Sequence, residues 1–332
     1  MFTPVHTSLG ALLLFQGSTG LLYHNGAILG ISGLVSGAIF RPSRDNVPIV
    51  VGLLSSVVPV YLLAPSLIPG YPAAPYSLAS AAATFGMGIL LGWGTKNGRG
   101  CTSGHMLCGL SRLSLRSLIA TTLFFTSAVL TANFGESFGG SGIPTCGPNP
   151  CYTPIYPTGA ELIFMSGAVA LSSVANHIIV PRFLTRSEES RTLYSYIAGL
   201  EFGLGLWISG MADNAKVLGF LGFLTDPYHF DPSLALLILF GIGPSLLAYL
   251  IKKPGQVDDK GKVGAKPNLA NQWRIPTATV ADIDWRFVAG AVVFGVAWGF
   301  SGVCPGPALL RAIIQPTWGL ATLGGYIVGN LF

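Results

Sequence analysis

The chain reads as an all-α membrane protein with about nine transmembrane helices, four short re-entrant half-helices and an inverted internal repeat. Three observations predict this. Only 9% of its 332 residues are charged and 51% are hydrophobic, whereas soluble domains carry roughly a quarter charged residues. Apolar runs of bilayer-spanning length recur along the whole chain, too many for one water-soluble core. Short Gly- and Pro-rich apolar pieces lie between them at matched places in two halves.

A helix needs about 20 apolar residues to cross the hydrocarbon. Runs of that kind are centred near 8–24, 47–68, 77–95, 114–134, 159–182, 193–209, 232–251, 285–300 and 316–332. The first lacks the basic leader of a cleavable signal and reads as a retained span. The pieces 27–40, 104–111, 214–224 and 305–314 are too short to cross. They read as half-helices that enter the bilayer and stop, which is tolerated where backbone is buried in protein or lines a cavity. The high Gly 44 and Pro 23 contents suit membrane helices.

Threading nine crossings, with each short piece returning to its side of entry, puts 16 of the 18 basic residues on one side, from Arg41 and Arg44 through Lys96, Arg99, Arg112 and Arg116 to Arg286. The loops 69–76, 135–158 and 225–231 on the other side hold none; the exceptions, Lys216 and Arg311, fall in short pieces. The positive-inside rule then makes the basic side cytoplasmic. The N-terminus lies outside, the C-terminus inside, and the lipid bilayer of the cell (plasma or inner) membrane is the expected surroundings. The stretch 252–284 is polar and contains the run Asp258-Asp259-Lys260-Gly261-Lys262. It reads as a cytoplasmic linker whose basic residues face anionic lipid.

Ala27-Ile28-Leu29-Gly30-Ile31-Ser32-Gly33 matches Lys216-Val217-Leu218-Gly219-Phe220-Leu221-Gly222. Later in each half a Gly, eight residues and a Cys recur: Gly92 to Cys101, then Gly295 to Cys304. Residues 1–134 form the first repeat, 135–192 an outer loop and linking transmembrane helix, and 193–332 the second repeat. One odd linking span threads the second repeat upside down, as in many secondary transporters, whose substrate site lies near the midplane between repeats.

Pro305 suits the first turn of a helix, which puts Cys304 near an N-cap, and Thr102 and Ser103 offer capping hydroxyls before 104–111. Free N–H groups and the positive helix end at both places favour an anion at mid-membrane. A thiol is a weak donor on a soft, polarizable atom, so a cysteine at each site suits a sulfur-bearing solute better than a hard oxyanion or a metal cation.

At these residues the chain resembles the YeeE/YedE sulfur-transport family. The resemblance rests on Gly92-Trp93-Gly94-Thr95-Lys96-Asn97-Gly98-Arg99-Gly100-Cys101-Thr102-Ser103-Gly104-His105 with Cys108-Gly109-Leu110-Ser111-Arg112, and on Gly299-Phe300-Ser301-Gly302-Val303-Cys304-Pro305-Gly306-Pro307-Ala308. Residues 209–220 and 25–33 resemble its other two motifs. The resemblance implies an hourglass of nine spans and four short helices, cysteines at its neck and thiosulfate uptake. Carried over, Cys101 and Cys304 become the neck cysteines, with Thr102, Ser103, Gly104, His105, Ser32 and Lys216 as the residues expected along the substrate path. A cytoplasmic sulfurtransferase is a partner such cargo implies. The chain departs from the family's transporters in one respect: 25–33 contains no cysteine, and Ser32 is its nearest polar group. Another sulfur or selenium species therefore stands as an alternative cargo.

Other residues carry bland readings beside sharp ones. Cys101, His105 and Cys108 fall at i, i+4 and i+7, one face of an α-helix, but three ligands without a fourth make a thin metal site, and none is expected. Cys108 reads as a small buried residue or as a relay. Cys146 and Cys151 sit in an outer loop where a disulfide is permitted; the alternative is a free pair. Asp213 and Lys216, at i and i+3, are placed to neutralise each other. Lys96 and Arg99 either orient the protein or draw the anion inward. The glycines at 92–100 lack the GK[ST] ending of a P-loop, so no cofactor and no nucleic acid are implied. The reading is a transporter and not an enzyme; the alternative is a membrane thiol enzyme relaying sulfane sulfur on Cys101 or Cys304.

Overall fold

The structure, a computed structural model, describes residues 1–74, 77–135, 143–225, 227–255 and 266–332. The linker run Asp258–Lys262 and residues 136–142 of the outer loop lie outside the described residues. Among the described residues the chain is all-helical; extended pairing is limited to the isolated bridges Phe2–Pro154 and Ala27–Arg274.

Helices occupy each apolar stretch. The first half holds α1 (Pro4–Asn25), α2 (Ile31–Phe40), α3 (Val47–Leu63, turning at Ser56), α4 (Leu78–Asn97), α5 (Ser103–Gly109, wound as a π-helix) and α6 (Leu115–Phe134). Then comes α7 (Gly159–Phe183). The second half holds α8 (Glu188–Ser209), α9 (Asn214–Leu221), α10 (Pro232–Lys252), α11 (Trp285–Ser301), α12 (Pro305–Ile314) and α13 (Pro316–Leu331). Among the described residues five stretches are long and apolar enough to cross a bilayer: α4, α6, α7, α10, and Trp285–Ile314, which contains α11 and α12. The chain is an integral membrane protein.

Two further helices, α1 and α8, have 22 residues each but more polar sequences, including Gln16, His24 and Asn25 in the one and Glu201 in the other. These side chains are buried in protein, because α1 and α8 pack on each other and α3 covers α8. A helix shielded from lipid can carry polar groups that would be expensive on a lipid face. By contrast α7 and α10 expose Ile163, Leu171, Leu239 and Leu247.

Trp285–Ile314 is broken at Gly302, whose backbone is left-handed (φ +66°). Its N–H closes α11 on Trp298 O, and a Cβ there would lie 2.5 Å from Asn214 O. Glycine is therefore needed both for conformation and for space. The break releases Cys304 to begin α12.

Helices distant in the chain pack on one another: α4 on α13, and α11 on α6. Likewise α3 packs on α8 and α10 on α1. Gly92 and Gly295, paired by sequence, serve the same purpose. A Cβ at Gly92 would lie 2.2 Å from Tyr326 O, and one at Gly295 2.3 Å from Phe124 O. Small residues let membrane helices approach to this degree.

The loops gather at two ends. At one, Phe2 N–H bonds Cys151 O, Cys151 N–H bonds Tyr228 O, and the Met1 ammonium pairs with Asp231 at 3.3 Å. At the other, Leu269 N–H bonds His24 O, Arg274 N–H bonds Gly26 O, and Asp45 accepts from Arg191 and Arg274. The hydrogen bond from Arg274, with its charge, holds the Asp45 carboxyl below the usual carboxylate range.

Candidate functional site

Cys101 ends the loop after α4, and Cys304 is the N-cap residue of α12. Both line one central cavity of about 60 Å³, above the roughly 10–15 Å³ that one water occupies on this measure. Thr102 and Ser103 line it too, as do Met106 and Met211; the rest of the wall is apolar, with Leu14, Ile31, Phe202 and Leu206 among it, and among the described residues no lining side chain is charged. The wall thus carries two thiols, two thioethers and two hydroxyls.

The polar groups are tied down. Ile31 N–H donates to Ser103 Oγ at 3.0 Å, and Ser103 Oγ lies 3.2 Å from Cys101 Sγ. Thr102 Oγ1 lies 3.4 Å from Cys304 Sγ, joining the two halves across 202 residues. Neither hydroxyl caps its own helix, as the sequence reading expects of them. Thr102 reaches Cys304, and Ser103 satisfies the first N–H of α2, because the π-helical start of α5 directs both side chains across to neighbouring elements. At α12 the dipole is oriented as expected, but Pro305 and Pro307 leave Gly306 as the single N–H donor of the first three residues. Gly306 lines the cavity.

The remaining expected residues lie elsewhere. Gly104 and His105 face a second cavity of about 290 Å³, lined also by Gly30, Arg99, Arg112 and Arg116. His105 is fixed by Gly98 O at 3.0 Å and Ser117 Oγ at 3.2 Å. Cys108 faces a third space beside Arg112, and its Sγ–H bonds Leu29 O at 3.4 Å. Cys101, His105 and Cys108 therefore open into three different spaces and do not share one face. The α-helical spacing argument fails because Cys101 lies in the loop before α5, and α5 itself winds with the wider i→i+5 pattern. Ser32 is buried outside the central lining, with its carbonyl bonded by Tyr326 OH at 3.1 Å; Ile31 takes the wall position.

Lys216 lies at the end that holds the N-terminus. Its Nζ donates to Met1 O at 3.1 Å and Ser233 Oγ at 3.2 Å and lies 3.6 Å from Asp231. The expected Asp213–Lys216 pair does not form, since Asp213 is used as the N-cap of α9, accepting from Ala215 N–H at 2.9 Å. Cys146 and Cys151 are joined by a disulfide at the same end. Buried Glu201 on α8 accepts from Asn176 at 2.9 and 3.1 Å.

Residues 30–31 and 103–104 form the partition between the two cavities: Ile31 and Ser103 face the central one, Gly30 and Gly104 the arginine-lined one. A Cβ on Gly30 would meet only Gly104 Cα, at 3.9 Å. Sequence reasoning found the thiols and hydroxyls but missed Met106, Met211 and the apolar wall supplied by α1, α8 and α10, for which a single sequence carries no distinguishing signal. Sequence reasoning uses Arg116 only as a topology marker, although its position at the start of the apolar run 114–134 is a signal.

A family model described as a family of unknown function (DUF6691) matches residues 191–329. A protein of Xylella fastidiosa strain Temecula1, named "Probable transporter", is 38% identical over 128 residues, 38% of this chain and 90% of the relative. The chain belongs to the family of these proteins. Another member, from Xylella fastidiosa strain 9a5c and of the same name, is 37% identical over the same share. A further chain of that strain, also named "Probable transporter", is 38% identical over 112 residues, 34% of this chain and 68% of the relative. Family members of this kind are about half as long as the present chain or shorter.

Proposed function

We propose that this chain conducts a small sulfur-containing anion, thiosulfate first among them, across the cell membrane, with the central cavity as the neck of an hourglass. The observation that carries the reading is the meeting of Cys101 and Cys304, from corresponding places in the two halves, on one buried wall without charged side chains among the described residues. A conduit must hold its ion strongly enough to admit it and weakly enough to release it. Thiols, hydroxyls and one N–H at a helix start offer weak, multiple contacts of that kind. The thioethers of Met106 and Met211 add soft, polarizable surface suited to a terminal sulfur.

Further support comes from the family, whose relatives are named probable transporters, and from the YeeE/YedE-like motifs. In this reading nine helices cross the bilayer and α2, α5, α9 and α12 are half-helices, of which α2, α5 and α12 meet at the neck. Residues 1–134 and 193–332 are inverted repeats. Exchanged packing between the halves and the half-length relatives favour a repeat. The basic end is cytoplasmic, the disulfide end and the N-terminus outside. Lys216 then acts outside the neck, holding the outer end together.

The reading is tested by uptake of sulfur-labelled thiosulfate into liposomes containing the purified protein, with sulfate and sulfite as competitors. Saturable uptake that resists sulfate supports a soft-anion neck. No uptake by correctly inserted protein sinks thiosulfate as the cargo.

A further inference from the structure

Beyond the thiols, the cavity on the basic side of the partition is built for oxygen. Among the described residues Arg99, Arg112 and Arg116 line it, and no carboxylate does. Two of the three are already engaged. Arg99 lies 3.5 Å from exposed Asp284, and Arg112 Nε donates to Cys108 O at 3.0 Å. Arg116 differs. It is 9% exposed, its guanidinium carbon lies 4.7 Å from the centre of the Phe287 ring, and its Nε and Nη2 are buried without a hydrogen-bond partner. Those two nitrogens form one edge of the guanidinium, the edge that binds two oxygens of one anion side by side. Buried donors left unmade are costly, and this pair is held by ring stacking beside an open cavity of about 290 Å³.

We infer that Arg116, with Arg112 beside it, forms a binding site for a small free tetrahedral oxyanion on the inner side of the partition. As a waiting place for the transported ion the site rests on the conduit reading, but its chemistry is separable: guanidinium recognises oxygen, so sulfate and thiosulfate bind alike there, whereas the thiols discriminate between them. Occupant size fits, since the cavity exceeds the central one several-fold.

The test is equilibrium binding of sulfur-labelled thiosulfate to the full chain in phosphatidylcholine nanodiscs, without a gradient. The site predicts saturable binding that sulfate displaces and that survives the double change Cys101→Ala with Cys304→Ala. Arg116→Gln weakens it at least tenfold, Arg116→Lys less because charge without the fork remains, and Arg112→Gln less again. Arg112→Gln also serves if Arg116→Gln fails to fold. Absence of saturable binding, binding unchanged in a folded Arg116→Gln protein, or binding lost with the thiols overturns the site. Loss of binding in anionic lipid reassigns the fork to a lipid headgroup and overturns it too. Uptake without such binding rejects the site and keeps the conduit; binding without uptake does the reverse.

Discussion

The two cavities on either side of Gly30 and Gly104 differ in chemistry more than in position. The central one is about 60 Å³, walled by sulfur, hydroxyl and hydrocarbon, and carries no charged side chain. The other is about 290 Å³ and carries three arginines. Charge raises the local concentration of an anion but discriminates poorly among anions, whereas a tight wall of weak soft contacts discriminates but cannot gather. In the proposed conduit the two tasks are divided between adjacent residues, Gly30 and Ile31 on one element and Ser103 and Gly104 on the other.

That division can be broken. The largest effect is expected at the partition. Gly104→Leu, which fills the approach between the cavities, abolishes thiosulfate uptake, while Gly30→Ala, whose methyl meets only Gly104 Cα at 3.9 Å, slows it about tenfold, the equivalent of ~1.4 kcal/mol on a barrier. Initial uptake rates at matched incorporation check both, and normal rates in both would place the passage elsewhere. Next, Cys101→Ser and Cys304→Ser keep partial uptake but lose preference for thiosulfate over sulfate, because a hydroxyl retains the hydrogen bond and not the soft atom. Complete loss in both serine variants would favour covalent relay on sulfur instead.

Smaller effects concern the scaffold. Gly92→Ala forces a Cβ to within 2.2 Å of Tyr326 O and lowers stability by about 1–3 kcal/mol, the usual range for overpacking. A thermal melt in detergent reads this, and an unchanged melt would refute the close approach of α4 and α13. The smallest effect is pH-dependent. The carboxyl of Asp45 has a depressed pKa through its bond from Arg274, so its contribution is fully present above the ordinary value of about 3.9 and is lost as pH falls through the lower folded value. Spin labels on 41 and 278 should therefore hold a constant distance from pH 7 to about 5 and spread only in stronger acid, whereas Asp45→Asn spreads them at pH 7. A distance indifferent to both changes would show that other contacts hold the linker.

Much of the scaffold was legible. Every long apolar run became a helix, and Gly-Pro punctuation marked the short ones, because hydropathy and backbone freedom act locally. The paired cysteines were legible for the same reason: Gly302 and Pro305 bracket Cys304 and dictate a helix start there. Partners were not. Spacing put Asp213 beside Lys216, but an N-cap position claimed the aspartate and Asp231 took the lysine. Cys101, His105 and Cys108 share a face only on one continuous α-helix, whereas Cys101 lies before α5 and α5 is wound more widely. Ser32 and Ile31 exchanged roles through a rotation no single sequence encodes. The unpaired fork of Arg116 depends on what the elements packed around it fail to offer, which only the assembled structure reveals.

The most direct test of the central claim is labelled-thiosulfate uptake by Cys101→Ala and Cys304→Ala proteins, each inserted in liposomes at wild-type density and with a wild-type melting profile. The account predicts that each alone abolishes uptake, since the thiols share one wall. Full uptake in either variant would contradict it and move the passage away from the cysteines.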